Sequence, residues 1–308
     1  MEKIAPGIRR LTIPLPLPPG HVHCYVVEGE TGRLLVDTGL GLPGLEELLV
    51  AELDGPVQRI LITHFHPDHV WGGEIARRVT GAQVFQGALD YAQCEQVWGR
   101  PDWAERIAAW FRRHGVPPEI ADEVLEQGSA AEPLIHYARD PEEIGEGEQV
   151  DGWEVIELPG HADGHLGFLR DGVLIAGDHL LPDITPAVGL YPESRPDPLG
   201  EYLASLERTI ALAPRLALPA HGEPIADPAA RAREIVEHHR ERLDRTQAAL
   251  GRQPRTGYEV SLALFPAALD PSQRRFAVAE ALSHVERLVH KGWARRHEDD
   301  DPVAYTDS

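Results

Sequence analysis

The sequence contains two lysines, Lys3 and Lys291, and no asparagine. Both lysines stand near the chain ends, and neither has the glycine-rich setting of a phosphate loop, which argues against P-loop and lysine Schiff-base chemistry. The missing asparagine removes a common side-chain oxyanion donor and every N-glycosylation acceptor. Cys24 and Cys94 form no short-spaced pair, which argues against a disulfide framework or a cysteine zinc ribbon and fits a reducing cytosol. No stretch approaches the ~20 apolar residues needed to cross a bilayer, and MEKIAPGIRRLTIPLPLPPG lacks the apolar run of a secretion signal. A cytoplasmic protein without membrane attachment is expected. Positive charge is scarce as well: 29 basic against 50 acidic residues give a net charge of −21. Such a chain repels phosphate backbones, so a small-molecule substrate is expected ahead of nucleic acid.

At 308 residues the chain can bury one large domain and a smaller appendage. From Leu11 to about Asp178, runs such as HCYVVEG, GRLLVDTG, QRILITH, AQVFQG, WEVIELPG, HLGFLRDG and VLIAGDH read as strands, with helical patterns such as GLEELLVAEL and GGEIARRVT between some of them. The mixture predicts a layered α/β fold. Between about residues 90 and 126 the pattern turns to longer helices, with Trp103, Ile107, Trp110 and Phe111 on one face. This reads as an insertion whose aromatics anchor it to the core, or form a lid or pocket wall. A boundary near Pro228 divides a domain of residues 1–227 from a C-terminal unit of residues 228–308, whose helices and charged tail resemble a winged helix. Its presumed wing carries Glu298, Asp299, Asp300 and Asp301, the wrong charge for DNA, so packing, capping or homodimerisation is expected of it.

The stretch ILITHFHPDHVWGG places His64, His66, Asp68 and His69 directly after an apolar strand, at the strand edge where α/β folds place their sites. In an extended segment His64 and His66 share a face and can address one metal, whereas Asp68 and His69, beyond Pro67, face a second. Four ligands are too few for two sites, but the same grammar recurs. His161 follows VIELPG, Asp178 follows VLIAG and His221 follows LALPA, each at a predicted strand end. Asp37, in LLVDTG, can orient a ligand histidine from outside.

This series, Asp37, then His64-x-His66-x-Asp68-His69, then His161, Asp178 and His221, resembles the metallo-β-lactamase superfamily over roughly residues 1 to 227. The resemblance implies a four-layer αββα sandwich. It also implies one metal on His64, His66 and His161, a second on Asp68, His69 and His221, and Asp178 as the bridge. Two zinc ions are expected, with iron or manganese as the other metals for such donors.

A bridging water whose pKa falls towards 7 yields hydroxide at neutral pH, and Asp68 would orient that water and move its proton. True β-lactamases of this fold typically carry a gripping lysine or asparagine and a secretion signal, which are missing here. Asp178 and the helical appendage resemble the glyoxalase II and lactonase branches, implying a carboxylic ester, thioester or lactone as substrate. Two alternatives stand beside this reading. One is a single-strand endoribonuclease of the lactamase-like branch, with Arg77, Arg78, Arg112 and Arg113 as a basic patch against RNA. The other is an iron-dependent persulfide dioxygenase. Diiron oxygen and nitric-oxide reductases replace the second motif histidine by glutamate, and His66 argues against them. His165 is expected to support a ligand, and His179, Tyr191 and Arg195 to touch substrate. His21 and His23 lie near the site mouth, and His238 and His239 read as surface residues of a long helix.

Overall fold

The computed structural model describes residues 1–16, 18–266 and 268–308. Its first sheet runs in order through β1 (Glu2–Ala5), β2 (Ile8–Pro14), β3 (His21–Glu28), β4 (Arg33–Val36), β5 (Arg59–Leu61), β6 (Gln83–Gly87) and β7 (Glu142–Ile144). Strands β1 to β4 are antiparallel neighbours, and β4 to β7 are parallel. The second sheet contains β8 (Gln149–Val150), β9 (Trp153–Glu157), β10 (Leu166–Arg170), β11 (Val173–Gly177) and β12 (Leu216–Pro219), with only β11 and β12 parallel. The strand pattern read from Leu11 onward missed β1 and the start of β2, where charged residues interrupt the apolar run.

Side-chain alternation divides the core into layers. On β3, Tyr25 and Val27 point into the space between the sheets, where they meet Val155, Phe168 and Ile175 of the second sheet. Val22, Cys24 and Val26 point the other way, towards helices Leu45–Glu52 and Gly73–Thr80. The outer face of the second sheet is covered by helices Pro198–Leu212 and Pro228–Ala249. The result is an αββα sandwich. β3 has both faces covered, which is why it reads as a continuous apolar run.

The insertion comprises helices Ala88–Gln96, Trp103–Arg113, Pro118–Ala121 and Glu123–Ala131, closed by a single turn at Glu132–Leu134. It therefore extends beyond the expected limit near residue 126. Ala104, Ala108 and Phe111 form its buried stripe, and Trp103, Ile107 and Trp110 pack half-buried beside it.

The C-terminal segment runs from helix Pro228–Ala249 through β13 (Arg255–Thr256), helices Gly257–Leu264 and Pro271–His290, then β14 (Ala294–His297) and β15 (Ala304–Asp307), in a sheet ordered β13-β15-β14. Thr256 with Glu259, and Asp270 with Gln273, form reciprocal capping boxes that start its last two helices. Its core is continuous with that of the outer helical layer, since Val260, Leu282 and Tyr305 belong to the same apolar cluster as Leu199 and Leu206. Among the described residues, no helix is long and apolar enough to cross a membrane.

His239, expected on the surface, is fully buried. It lies on the stripe Ala232, Ile235, His239, Leu243, Thr246, whose three- and four-residue spacing was already present in the sequence. Its Nδ1 meets His284 Nε2 at 3.2 Å, while His284 Nδ1 donates to the carbonyl of Glu280 at 2.8 Å. Burial lowers both pKa values, to about 2 for His239 and about 3 for His284. Because only the unfolded chain binds these protons below pH 6.5, the pair contributes stability at neutral pH that is lost as pH falls. At pH 5 the loss is about 2 kcal/mol per histidine. Urea unfolding of the wild type and of a His239→Gln/His284→Gln variant should therefore show a fall between pH 7 and 5 that is about 4 kcal/mol smaller in the variant. Parallel pH profiles would contradict it.

Candidate metal centre

The ends of parallel strands in both sheets meet at one edge of the sandwich. Asp37 follows β4, His64 lies just beyond β5, Asp178 follows β11 and His221 lies just beyond β12. His161 stands in the turn between β9 and β10. Backbone bonds join the sheets here: Leu166 N donates to the carbonyl of Thr63 at 2.8 Å, and His23 N to that of Ala220 at 2.7 Å. His66 caps the one-turn helix Pro67–Val70, with Pro67 at the first position, where its missing N–H is not needed.

Three inward nitrogens converge. His64 Nε2 lies 3.0 Å from His66 Nδ1, which lies 2.9 Å from His161 Nε2. A second group contains Asp68, His69 and His221, with His221 Nε2 at 3.3 Å and His69 Nε2 at 3.7 Å from the Asp68 carboxylate. Asp178 stands between the groups: Oδ2 is 3.5 Å from His161 Nε2 and 3.7 Å from His69 Nε2, and Oδ1 is 3.5 Å from His221 Nε2.

The outer nitrogens determine the tautomers. His161 Nδ1 donates to the carbonyl of Ala187 and His221 Nδ1 to that of His21, both at 2.7 Å. His69 Nδ1 donates to Asp37 Oδ2 at 2.9 Å. Thr63 Oγ1 donates to that same carboxylate at 2.8 Å and accepts from His64 Nδ1 at 3.0 Å. These four imidazoles thus present lone pairs inward, towards two carboxylates that are also acceptors. His69 Nε2 and Asp178 Oδ1 are buried with no hydrogen-bond partner. Lone pairs facing carboxylates need positive charge between them, which protons on His69 and His221 or metal ions can supply, and nitrogen and oxygen donors in two adjoining groups suit divalent ions.

The electrostatics divide along the same line. Burial and the neighbouring imidazoles hold His64 well below the ordinary histidine range and His66 at about 3. Burial also opposes charge on His69 and His221, but the Asp68 and Asp178 carboxylates outweigh it, raising His69 well above its ordinary value and His221 to about 10. The centre attracts positive charge most strongly on the Asp68 side.

Its supports are built from several segments. Asp37 adopts φ 62°, a left-handed conformation that aspartate tolerates, and its other oxygen accepts from Thr63 N at 2.8 Å. His165 is fully buried, stacks on His64 with centroids 4.8 Å apart and accepts from the backbone N–H of Asp178 at 3.2 Å. Gly177, at φ 51°, lets these parts approach: a Cβ there would lie 2.8 Å from His165 Nε2 and 2.9 Å from Thr63 Oγ1.

The three expected substrate contacts take up quite different positions. His179 does not reach the surface: it is fully buried, and its Nε2 meets Thr209 Oγ1 of the outer helix at 2.7 Å. The Arg195 side chain turns to Glu201 at 3.1 Å, while its backbone N–H donates to Asp163. Tyr191 packs edge-on against Phe111 of the insertion. His21 flanks His221 through its carbonyl, and His23 lies behind it, bonded to Thr12. Two supports escaped the sequence reading. Thr63 offered a signal, as the polar residue between strand and motif; Asp90, which accepts from Phe65 N at 2.8 Å and from Gln86 at 2.6 Å, offered none.

The profile of the Metallo-beta-lactamase superfamily matches residues 17–221, and that of the Metallo-beta-lactamase-like, C-terminal domain matches residues 243–306. The crystal structure of a metallo-beta-lactamase family protein from Thermus thermophilus superposes with a TM-score of 0.86 at 36% identity, covering 99% of this chain and 100% of that one. The probable metallo-hydrolase YqjP of Bacillus subtilis is 27% identical over 90% of this chain and 91% of its own length. The atrochrysone carboxyl ACP thioesterase of Aspergillus terreus is 25% identical over 75% of this chain, which spans 58% of that protein. With the donor groups at the shared sheet edge, these matches identify the chain as an enzyme of the metallo-beta-lactamase superfamily.

Proposed function

We propose that the protein is a dinuclear zinc hydrolase acting on a carboxylic ester, thioester or lactone. The observation that carries this reading is the inward-facing acceptor set, in two groups joined by Asp178. His64, His66 and His161 would hold one ion, Asp68, His69 and His221 the other, and Asp178 both. The ions supply a water of lowered pKa and a Lewis acid for the substrate carbonyl. The chain supplies the rest. Asp68, with 24% of its side chain exposed, lies at the open side, where its carboxylate orients the attacking water and accepts its proton. Asp37, Ala187 and His21 hold the histidines in one tautomer, and His165 holds the backbone of Asp178.

A thioester substrate is supported by the name of the fungal relative, and a small molecule by the state of the arginines. Arg77 pairs with Glu74 and Arg78 with Glu46, Arg112 pairs with Asp122, and Arg113 pairs with Asp301 at 3.6 Å. None of these four is a free cation for RNA. We read residues 228–308 as a winged-helix-like unit that braces the site walls: Val303 N donates to Arg113 O at 2.9 Å, and Leu190 N to Ala279 O at 3.0 Å.

Elemental analysis with a panel of thioester, lactone, phosphodiester and single-stranded RNA substrates tests the reading. About two zinc ions per chain and turnover of an ester-type substrate are expected. One iron per chain with oxygen consumption on a persulfide, or RNA cleavage alone, would overturn it.

A further inference from the structure

The histidine loop reaches the surface only along Phe65–Asp68; His64 and His69 on either side are buried. Phe65 is the chemically unexpected member, a large apolar side chain between two proposed ligands. Its ring stacks on Trp98 at 6.0 Å and 28°, and its centroid lies 4.9 Å from that of His66. Trp98 meets Trp103 edge-on at 5.2 Å, and its Nε1 donates to the carbonyl of Phe65 at 2.8 Å. Phe65, Trp98 and Trp103 all retain exposed surface. The wall is anchored on both sides of the centre. Trp98 holds it to the motif loop, and an ion pair from Arg106 to Glu193 holds the Trp103 helix to the segment following Ala187, whose carbonyl orients His161.

We infer that Phe65, Trp98 and Trp103 form the acyl subsite, and that the substrate is an ester or thioester of an extended apolar acyl group; this rests on the hydrolase reading above. Aromatic faces next to the reacting centre gain by covering hydrocarbon, and the one polar group of Trp98 is already engaged by Phe65. The leaving side of a biological thioester is a hydrated thiol carrier, which such a surface does not select. The acyl chain is therefore the part that the wall reads.

The test uses the zinc-loaded full chain and N-acetylcysteamine thioesters from acetyl to decanoyl. For the wild type, kcat/KM should rise about fourfold with each methylene that the wall covers. Trp98→Ala should flatten this slope, losing on the order of thirtyfold more on decanoyl than on acetyl, and Trp103→Ala should flatten it in part. Decanoate should shift the tryptophan emission of the wild type to shorter wavelength at concentrations where acetate does not, and less so in Trp98→Ala. Wild-type turnover without chain-length dependence would overturn the subsite while leaving the hydrolase standing, as would dependence on the length of the thiol instead. Trp98-dependent decanoate binding with no ester turnover would support the apolar subsite and defeat the hydrolytic reading.

Discussion

Asp68→Ala should lower kcat by about a thousandfold while the protein remains folded. Asp68 and Asp178 both face His221 and His69, at 3.3 and 3.7 Å for Asp68 and at 3.5 and 3.7 Å for Asp178. Exposure separates them, at 24% for Asp68 against 11% for Asp178. A carboxylate at the open side can exchange its proton with solvent between turnovers. Asp68→Asn keeps the shape but removes the charge, and should lose nearly as much. His66→Ala should fall as far by removing one of the three converging imidazoles. Elemental analysis and thermal unfolding should accompany the kinetics, so that loss of metal is separated from loss of the proton acceptor. An unchanged kcat in folded, metal-replete Asp68→Ala would defeat the mechanism.

Removing the metal should also lower the melting temperature by about 10 °C. The centre brings five histidines and two aspartates together, and His69 Nε2 and Asp178 Oδ1 remain buried without hydrogen bonds. A ligand that binds only the native state at a thousand times its dissociation constant adds about 4 kcal/mol, and two such ions about 8. For a chain of this size that corresponds to a shift of roughly 12 °C, reduced where protons on His69 and His221 replace part of the lost charge. Thermal scans before and after dialysis against a chelator, with readdition of zinc, measure it. A melting temperature indifferent to metal content would mean that the acceptor set is satisfied without a cation.

The candidate donor set was legible because its members sit where strands end, and a strand end is a local pattern: an apolar run, a glycine or proline, then a polar residue. His161, Asp178 and His221 each followed that rule, and the structure brings them beside the histidine loop. The supports were less visible. Asp90 accepts from the backbone of Phe65 across 25 positions, and nothing near either residue announces it. His179 misled because adjacency to Asp178 in sequence suggested adjacency in function. One residue past a strand end the chain reverses, and its side chain enters the helical layer beside Thr209 instead. His239 could have been assigned by helical periodicity, yet its polar character outweighed its position on the buried stripe.

Residue order alone was enough to establish the layered α/β class, the grouping of histidines and aspartates at strand ends and the lack of a phosphate-loop lysine or a short-spaced cysteine pair, since each depends on residue type and short-range spacing. Which carboxylate stands open, which carbonyls orient the imidazoles and which aromatics flank the centre depend on how two sheets and an insertion close on one edge. Those contacts join positions tens to hundreds of residues apart, and packing selects them among many that local pattern permits equally.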